Sequence, residues 1–272
     1  MTAPRPEDAL AHVPAGPVPS SREGQRLLDL VKVMARLRGP GGCPWDHEQT
    51  HATLARHLLE ETHELLEAIE AGGSEEIRDE LGDLLLQVVF HAQIAADEGR
   101  WDVDDVAEGL IAKLIHRHPH VFGDVEVSGA DEVLMNWEKL KADEGRAPRE
   151  RLDDGIPETL PALARAAKVQ RRADATGIAW PEADDALAAL GREAARLEGS
   201  PEGDLEERIG AFLFVAVAAA RAVGVDAESA LRRATRRFVE RSERAVEGAR
   251  AWEIEPELSA DDARRPFGGV DG

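Results

Sequence analysis

Apolar residues recur every three or four positions from about residue 22 to 250, the spacing that lines one face of an α-helix. Leu27, Leu30, Val31, Met34 and Leu37 mark a first helix. Gly39-Pro40-Gly41-Gly42 must end it, because proline lacks a backbone donor and glycine pays the largest entropy of ordering. A second helix is predicted over about 50–70, with Leu54, Leu58, Leu65 and Ile69 on its apolar side. Gly72-Gly73 stops it, and Ser74 followed by Glu75 and Glu76 is read as the cap and acidic first turn of a third. That third helix carries Ile77, Leu81, Leu84, Leu85, Val88 and Val89 and is apolar enough to be central. A fourth is expected over 103–117 and a fifth over 130–143, separated by His118-Pro119 and Gly123. No stretch sustains the period-2 alternation of a half-buried strand, so the fold class is all-α.

A Pro- and Asp-rich link at 147–161 precedes a second helical half, 162–253. That half echoes the first: Leu81-Gly82-Asp83-Leu84-Leu85-Leu86 returns as Ile209-Gly210-Ala211-Phe212-Leu213-Phe214, and Lys113-Leu114-Ile115-His116-Arg117 as Arg237-Phe238-Val239-Glu240-Arg241. Two echoes in one order suggest an internal duplication. Residues 1–21 and 254–272 are polar or proline-rich and are read as loose tails.

Composition narrows the function. The 272 residues include 54 acids and 33 bases, a net charge of -21. Such a balance repels a polyanion, so no broad nucleic-acid surface is expected. A phosphorylated small molecule remains accessible if cations stand between it and the acids. One cysteine, Cys43, excludes an internal disulfide and a Cys-based zinc site, fits a cytoplasmic setting, and is expected to be buried. No apolar run is long enough for a signal peptide or membrane span.

Two acidic clusters then stand out: Glu60-Glu61-Thr62-His63-Glu64 and Asp79-Glu80-Leu81-Gly82-Asp83. Residues three apart share a helix face, so Glu61 points with Glu64 and Glu80 with Asp83. If Gly72-Gly73 folds the two helices back antiparallel, the pairs meet beside an apolar interface. Four carboxylates about 8 Å apart, at an effective dielectric near 20, would repel by roughly 2 kcal/mol per pair. Six such pairs approach the whole stability of a domain, about 5–15 kcal/mol. A divalent cation relieves that strain, and all-oxygen donors favour Mg²⁺ or Mn²⁺ over zinc.

Glu60-Glu61-x-x-Glu64, fifteen intervening residues and Glu80-x-x-Asp83 resemble the signature of MazG-type nucleoside triphosphate pyrophosphohydrolases. Neighbouring blocks agree: Gly42-Cys43-Pro44-Trp45-Asp46 with Gln49-Thr50, then Lys113-Leu114 and Arg117-His118-Pro119-His120-Val121-Phe122, then Trp137-Glu138 with Lys141. The second half resembles the family's second repeat from about Leu160, including Lys168-Val169-Gln170 and Gly177-Ile178-Ala179-Trp180.

The resemblance implies an all-α protein of two MazG-like repeats with bundle-type packing completed by a homodimer. It implies Mg²⁺-dependent attack of water at the α-phosphorus of nucleoside triphosphates, releasing a monophosphate and pyrophosphate and so clearing noncanonical nucleotides. Glu61, Glu64, Glu80 and Asp83 are then the metal ligands and Glu60 a further ligand or water-orienting group. Lys113 and Arg117 become candidates for the distal phosphates, and Trp137 and Lys141 for the base or the mouth of the pocket. His116 stands where the family pattern usually has arginine. The second repeat departs further, reading Arg192-Glu193-Ala194-Ala195-Arg196 and Arg208-Ile209-Gly210-Ala211 where acids are expected. Catalysis is therefore expected in 22–146 only.

Other readings compete. A narrower dUTP or dCTP pyrophosphatase of the same superfamily, or a metal-binding scaffold without catalysis, would use the same acids. Glu48-x-x-His51 and Glu60-x-x-His63 have di-iron spacing, but that site needs its motifs on separate helices. His116, His118 and His120 are read as a structured turn, Trp45 as the anchor of the Gly-Pro loop, and the arginines of 232–241 as a solvated helix face.

Overall fold

The computed structural model describes residues 24–129, 132, 133, 136, 137, 140, 151–177, 183–197 and 204–251. Helices and turns account for the described residues, and no strand occurs among them. The chain divides into two compact units, Met1–Arg146 and Ala147–Gly272. Both expected tails lie outside the described residues, as does most of the predicted helix over 130–143.

The first unit contains α1 (Gln25–Arg38), α2 (Pro44–Glu48), α3 (His51–Ala71), α4 (Ser74–Asp97), α5 (Val103–Arg117) and α6 (Pro119–Phe122). Thr50 caps α3 in a reciprocal box: its hydroxyl accepts from the Thr53 amide, and its own amide donates to Thr53 Oγ1. Gly72 takes the left-handed conformation, φ +81°, that reverses the chain between α3 and α4. The cap of α4 is Gly73 and not Ser74, which is already the first helical residue. A two-residue reversal needs both glycines outside the helices, so the acidic first turn of Glu75 and Glu76 does the work at that N-terminus.

Helix α4 is central, with α3 along it and α1 and α5 against it. Met34, Leu54, Val89, Phe90 and Ile94 form the core, flanked by Leu30, Val31 and Leu86. The loop after α1 is held by Arg38, only 7% exposed. Its Nε donates to Asp97 at 2.7 Å, and its Nη1 donates to the carbonyls of Asp46 and Gln49. Trp45, expected as the anchor, is instead 53% exposed and meets His57 edge-on. Cys43 is half-buried. Arg38 takes the anchoring role because one planar guanidinium satisfies several loop acceptors that an indole cannot. Gly42 is required there, since a Cβ would lie 2.1 Å from the Leu37 carbonyl oxygen.

The second unit contains α7 (Ala162–Ala175), α8 (Ala183–Leu197), α9 (Leu205–Ala222) and α10 (Ala227–Ala251). Helix α9 packs along α8 and against α7 and α10. Its core is built from smaller side chains: Ala167, Ala173, Ala186, Val217, Ala218 and Ala219. Gln170, fully buried, donates to the Phe214 carbonyl and accepts from Arg221, whose other nitrogen pairs with Asp174. Among the described residues no single helix is long and apolar enough to cross a membrane.

Candidate active site

The α3–α4 hairpin brings its acids together. One carboxylate oxygen each from Glu61, Glu64 and Glu80 lies within 4.8 Å of the other two. Among the described residues this is the one such group of three metal-ligating side chains. Asp83 sits one turn beyond Glu80, exposed, and does not close to that distance from all three. It still acts on them electrostatically. Partial burial pushes Glu61 above the ordinary carboxylate range, with Asp83, Glu64 and Glu80 adding repulsion and His57 opposing it. Glu80 is raised for the same first reason, then by Glu64, Asp83 and Asp79.

The donor set fits a hard divalent cation. All ligand atoms are carboxylate oxygens, and Glu80 Oε2 is buried with no hydrogen-bond partner among the described atoms. A buried carboxylate oxygen left unpaired is expensive, and a cation is the simplest group that satisfies several carboxylates at once.

Glu60 is not one of the three. Its Oε2 meets Nδ1 of His57 at 3.1 Å, so it belongs to a carboxylate–imidazole pair beside the cluster. The signal for His57 was its position one turn before Glu60, but i, i+3 pairs are too common on helices to single it out. Lys113 is exposed on α5, and Arg117 one turn later lies with its guanidinium 5.0 Å from the Trp137 ring centre. The structure thus joins two residues that sequence placed separately, in a cation–π contact. Lys141 lies outside the described residues. His118 caps α5 and pairs through Nδ1 with the Leu114 carbonyl, which makes the histidine run a turn.

A second histidine site escaped the sequence. His51 and His91 stack at 5.0 Å with Nδ1 atoms 2.7 Å apart, beside Trp101 and Arg100. Burial, then His51, pushes His91 below the usual imidazole range. Forty residues separate the pair, so no local spacing could reveal it.

Fold and site together define an all-α protein that presents a two-helix carboxylate cluster suited to a divalent cation. Residues 49–122 match the MazG nucleotide pyrophosphohydrolase domain. The chain is 44% identical over 227 residues to a nucleoside triphosphate pyrophosphohydrolase of Escherichia coli K12, covering 80% of this chain and 86% of that protein. It is 43% identical over 215 residues to the nucleoside triphosphate pyrophosphohydrolase/pyrophosphatase MazG of Thermotoga maritima, covering 78% and 82%. A nucleoside triphosphate pyrophosphohydrolase of Mycolicibacterium smegmatis matches at 45% over 163 residues, 59% of this chain and 49% of that protein. The chain belongs to the MazG nucleoside triphosphate pyrophosphohydrolase family.

Proposed function

We propose that this protein hydrolyses nucleoside triphosphates between the α- and β-phosphates, giving a nucleoside monophosphate and pyrophosphate, with Mg²⁺ as cofactor and Mn²⁺ as a substitute. The observation that carries the reading is the cluster of Glu61, Glu64 and Glu80, in which Glu80 Oε2 is buried without a hydrogen-bond partner among the described atoms. Family membership supports the reaction class.

A triphosphate carries nearly four negative charges, which this acidic face would repel without an intervening cation. When bound, Mg²⁺ supplies Lewis-acid neutralisation of the phosphoryl oxygens and a more acidic water. Glu61, Glu64 and Glu80 are assigned to hold it, with Asp83 completing the set from the exposed edge. One carboxylate of the set accepts the proton of the attacking water, and the Glu60–His57 pair orients that water. Lys113 and Arg117 are assigned to the distal phosphates, where the Trp137 ring fixes the Arg117 guanidinium plane. Trp137 and Lys141 then border the base. Glu60, Glu61, Glu64, Glu80 and Asp83 are the proposed catalytic set.

Leu81, Leu85 and Val88 recur along α4 at helical spacing and stay exposed, at 50%, 39% and 41%. Val106, Leu110 and Leu114 do the same on α5. Two apolar stripes beside a site made from one helix hairpin support a homodimer, since apolar surface of that extent is normally covered. The cytoplasm is the proposed compartment, where nucleotides and reduced thiols coexist.

The test is incubation with a panel of nucleotides and Mg²⁺, with products resolved by ion exchange. Pyrophosphate release that EDTA abolishes supports the assignment. Orthophosphate release overturns it, and turnover confined to dUTP or dCTP would replace it by the narrower specificity.

A further inference from the structure

The second unit carries arginines on a helix hairpin that can be matched to the one holding the carboxylate cluster. The match between hairpins can be set by burial. Leu54 on α3 and Ala186 on α8 are each 1% exposed, as are Val89 on α4 and Val217 on α9. Leu81 and Leu85 then fall on Ile209 and Leu213, all four exposed. In this register Glu60 and Glu64 correspond to Arg192 and Arg196, Glu80 corresponds to Arg208, and Glu61 alone keeps its acid, as Glu193.

The register also holds at the site itself. Arg208 Nη1 donates across the hairpin to the Arg196 carbonyl at 2.9 Å, linking the positions that correspond to Glu80 and Glu64. Glu193 pairs with Arg196 at 2.5 Å, and Asp204 stands 3.9 Å from Arg208. These contacts orient two guanidinium groups, with Glu206 and Glu207 in the first turn of α9 beside Arg208. Arg192 lies one turn before Arg196 on the same face of α8 and is exposed.

We propose that Arg192, Arg196 and Arg208 form a binding site for the phosphate groups of a pyrophosphate or triphosphate, used without a metal ion. Guanidinium groups bind phosphate oxygens in bidentate fashion and stay charged at any physiological pH. Where acids need Mg²⁺ to hold a polyphosphate, arginines at the same positions hold it directly. The lost carboxylates remove catalysis from this site, so the ligand is retained and not hydrolysed. The chemical class is a product or substrate of the reaction proposed above, but binding does not depend on that reaction.

Isothermal titration of the full chain in EDTA tests this, because chelation silences any metal-dependent binding at the first unit. Inorganic pyrophosphate and a nucleoside triphosphate are titrated separately. Saturable binding of either supports the site, and the tighter ligand identifies its source. The double variant Arg192→Gln/Arg208→Gln is expected to weaken binding about tenfold or more. Arg192→Gln alone, at an exposed position, is expected to weaken it about threefold with unchanged circular dichroism. Glu61→Gln should leave it unaltered. No saturable binding in EDTA, or binding that survives both arginine variants, overturns the proposal. Binding in EDTA from a protein without turnover would leave this site standing and remove the proposed reaction.

Discussion

The two units each pack a central helix against its hairpin partner, and they differ in core side chains and in the charges on the hairpin. In each, a long central helix, α4 or α9, is the second helix of a hairpin, lies along the first, α3 or α8, and also packs against an earlier and a later helix. The first packs Met34, Leu54, Val89, Phe90 and Ile94, whereas the second packs mainly alanines. Each unit also ties the ends of its flanking and central helices with an ion pair, Arg38–Asp97 in the first and Asp174–Arg221 in the second. The difference at the hairpin is chemical: acids crowd at Glu61, Glu64 and Glu80, while in the register proposed above Glu193 stands for Glu61 and arginines, Arg196 and Arg208, stand for the other two. Backbone packing and site chemistry therefore vary separately. The core residues fix the hairpin, and the few positions on its polar face decide which charge it concentrates.

The sharpest way to break this comparison is to neutralise matching acids. Glu61→Gln or Asp83→Asn is expected to lower pyrophosphate release by on the order of 10²–10⁴-fold, with helical content intact by circular dichroism. Glu193→Gln should leave the rate within about twofold. Equal losses from both would show that the second unit takes part in the chemistry.

Next in size are the cores. Leu54→Ala removes a fully buried side chain and is expected to destabilise the first unit by about 2–5 kcal/mol in urea unfolding. The reciprocal Ala186→Leu should overpack the second unit at a cost of about 1–3 kcal/mol. A neutral outcome for either would mean that burial at the two positions is not equivalent.

The ion pairs sharpen the contrast at a smaller scale. Arg38→Ala removes a donor from Asp97 Oδ2 and from two loop carbonyls, and should cost about 2 kcal/mol by the same measurement. Arg221 is more exposed, so Arg221→Ala should cost about 1 kcal/mol.

The smallest effect is a pH dependence confined to the first unit. His91 holds its proton less tightly when folded than the ordinary value of 6.5. Its neutral form is favoured by folding, so the contribution is complete above pH 6.5 and is lost as the pH falls through the lowered folded value. His91→Phe should flatten the melting temperature between pH 7 and 5. A dependence that survives this substitution would assign it to other groups.

Much of this was legible along the chain. The helix over 103–117 has the predicted ends, since Asp102 caps it and Pro119 stands two residues past its last, Arg117. The pairing of Glu61 and Glu64 with Glu80 followed from i, i+3 spacing and the Gly72-Gly73 reversal. Trp45 and Cys43 were less readable, because burial at a loop depends on tertiary neighbours, and Arg38 supplied the donors for the loop carbonyls. For Glu60 the sequence left two roles open, a further ligand or a group that orients water, and its contact with His57 depends on the side-chain arrangement around the helix.

The sequence by itself determined the helices, the hairpin and the acids that share a face, because these depend on periodicity and contacts a few residues apart. Only the tertiary structure decided which carboxylates converge within 4.8 Å, which oxygen of Glu80 is left unpaired, and that Arg117 meets Trp137 and His51 meets His91. Those facts join residues that are distant along the chain or depend on how one helix is rotated against the next. Periodicity sets which residues share a face, but packing sets what that face meets.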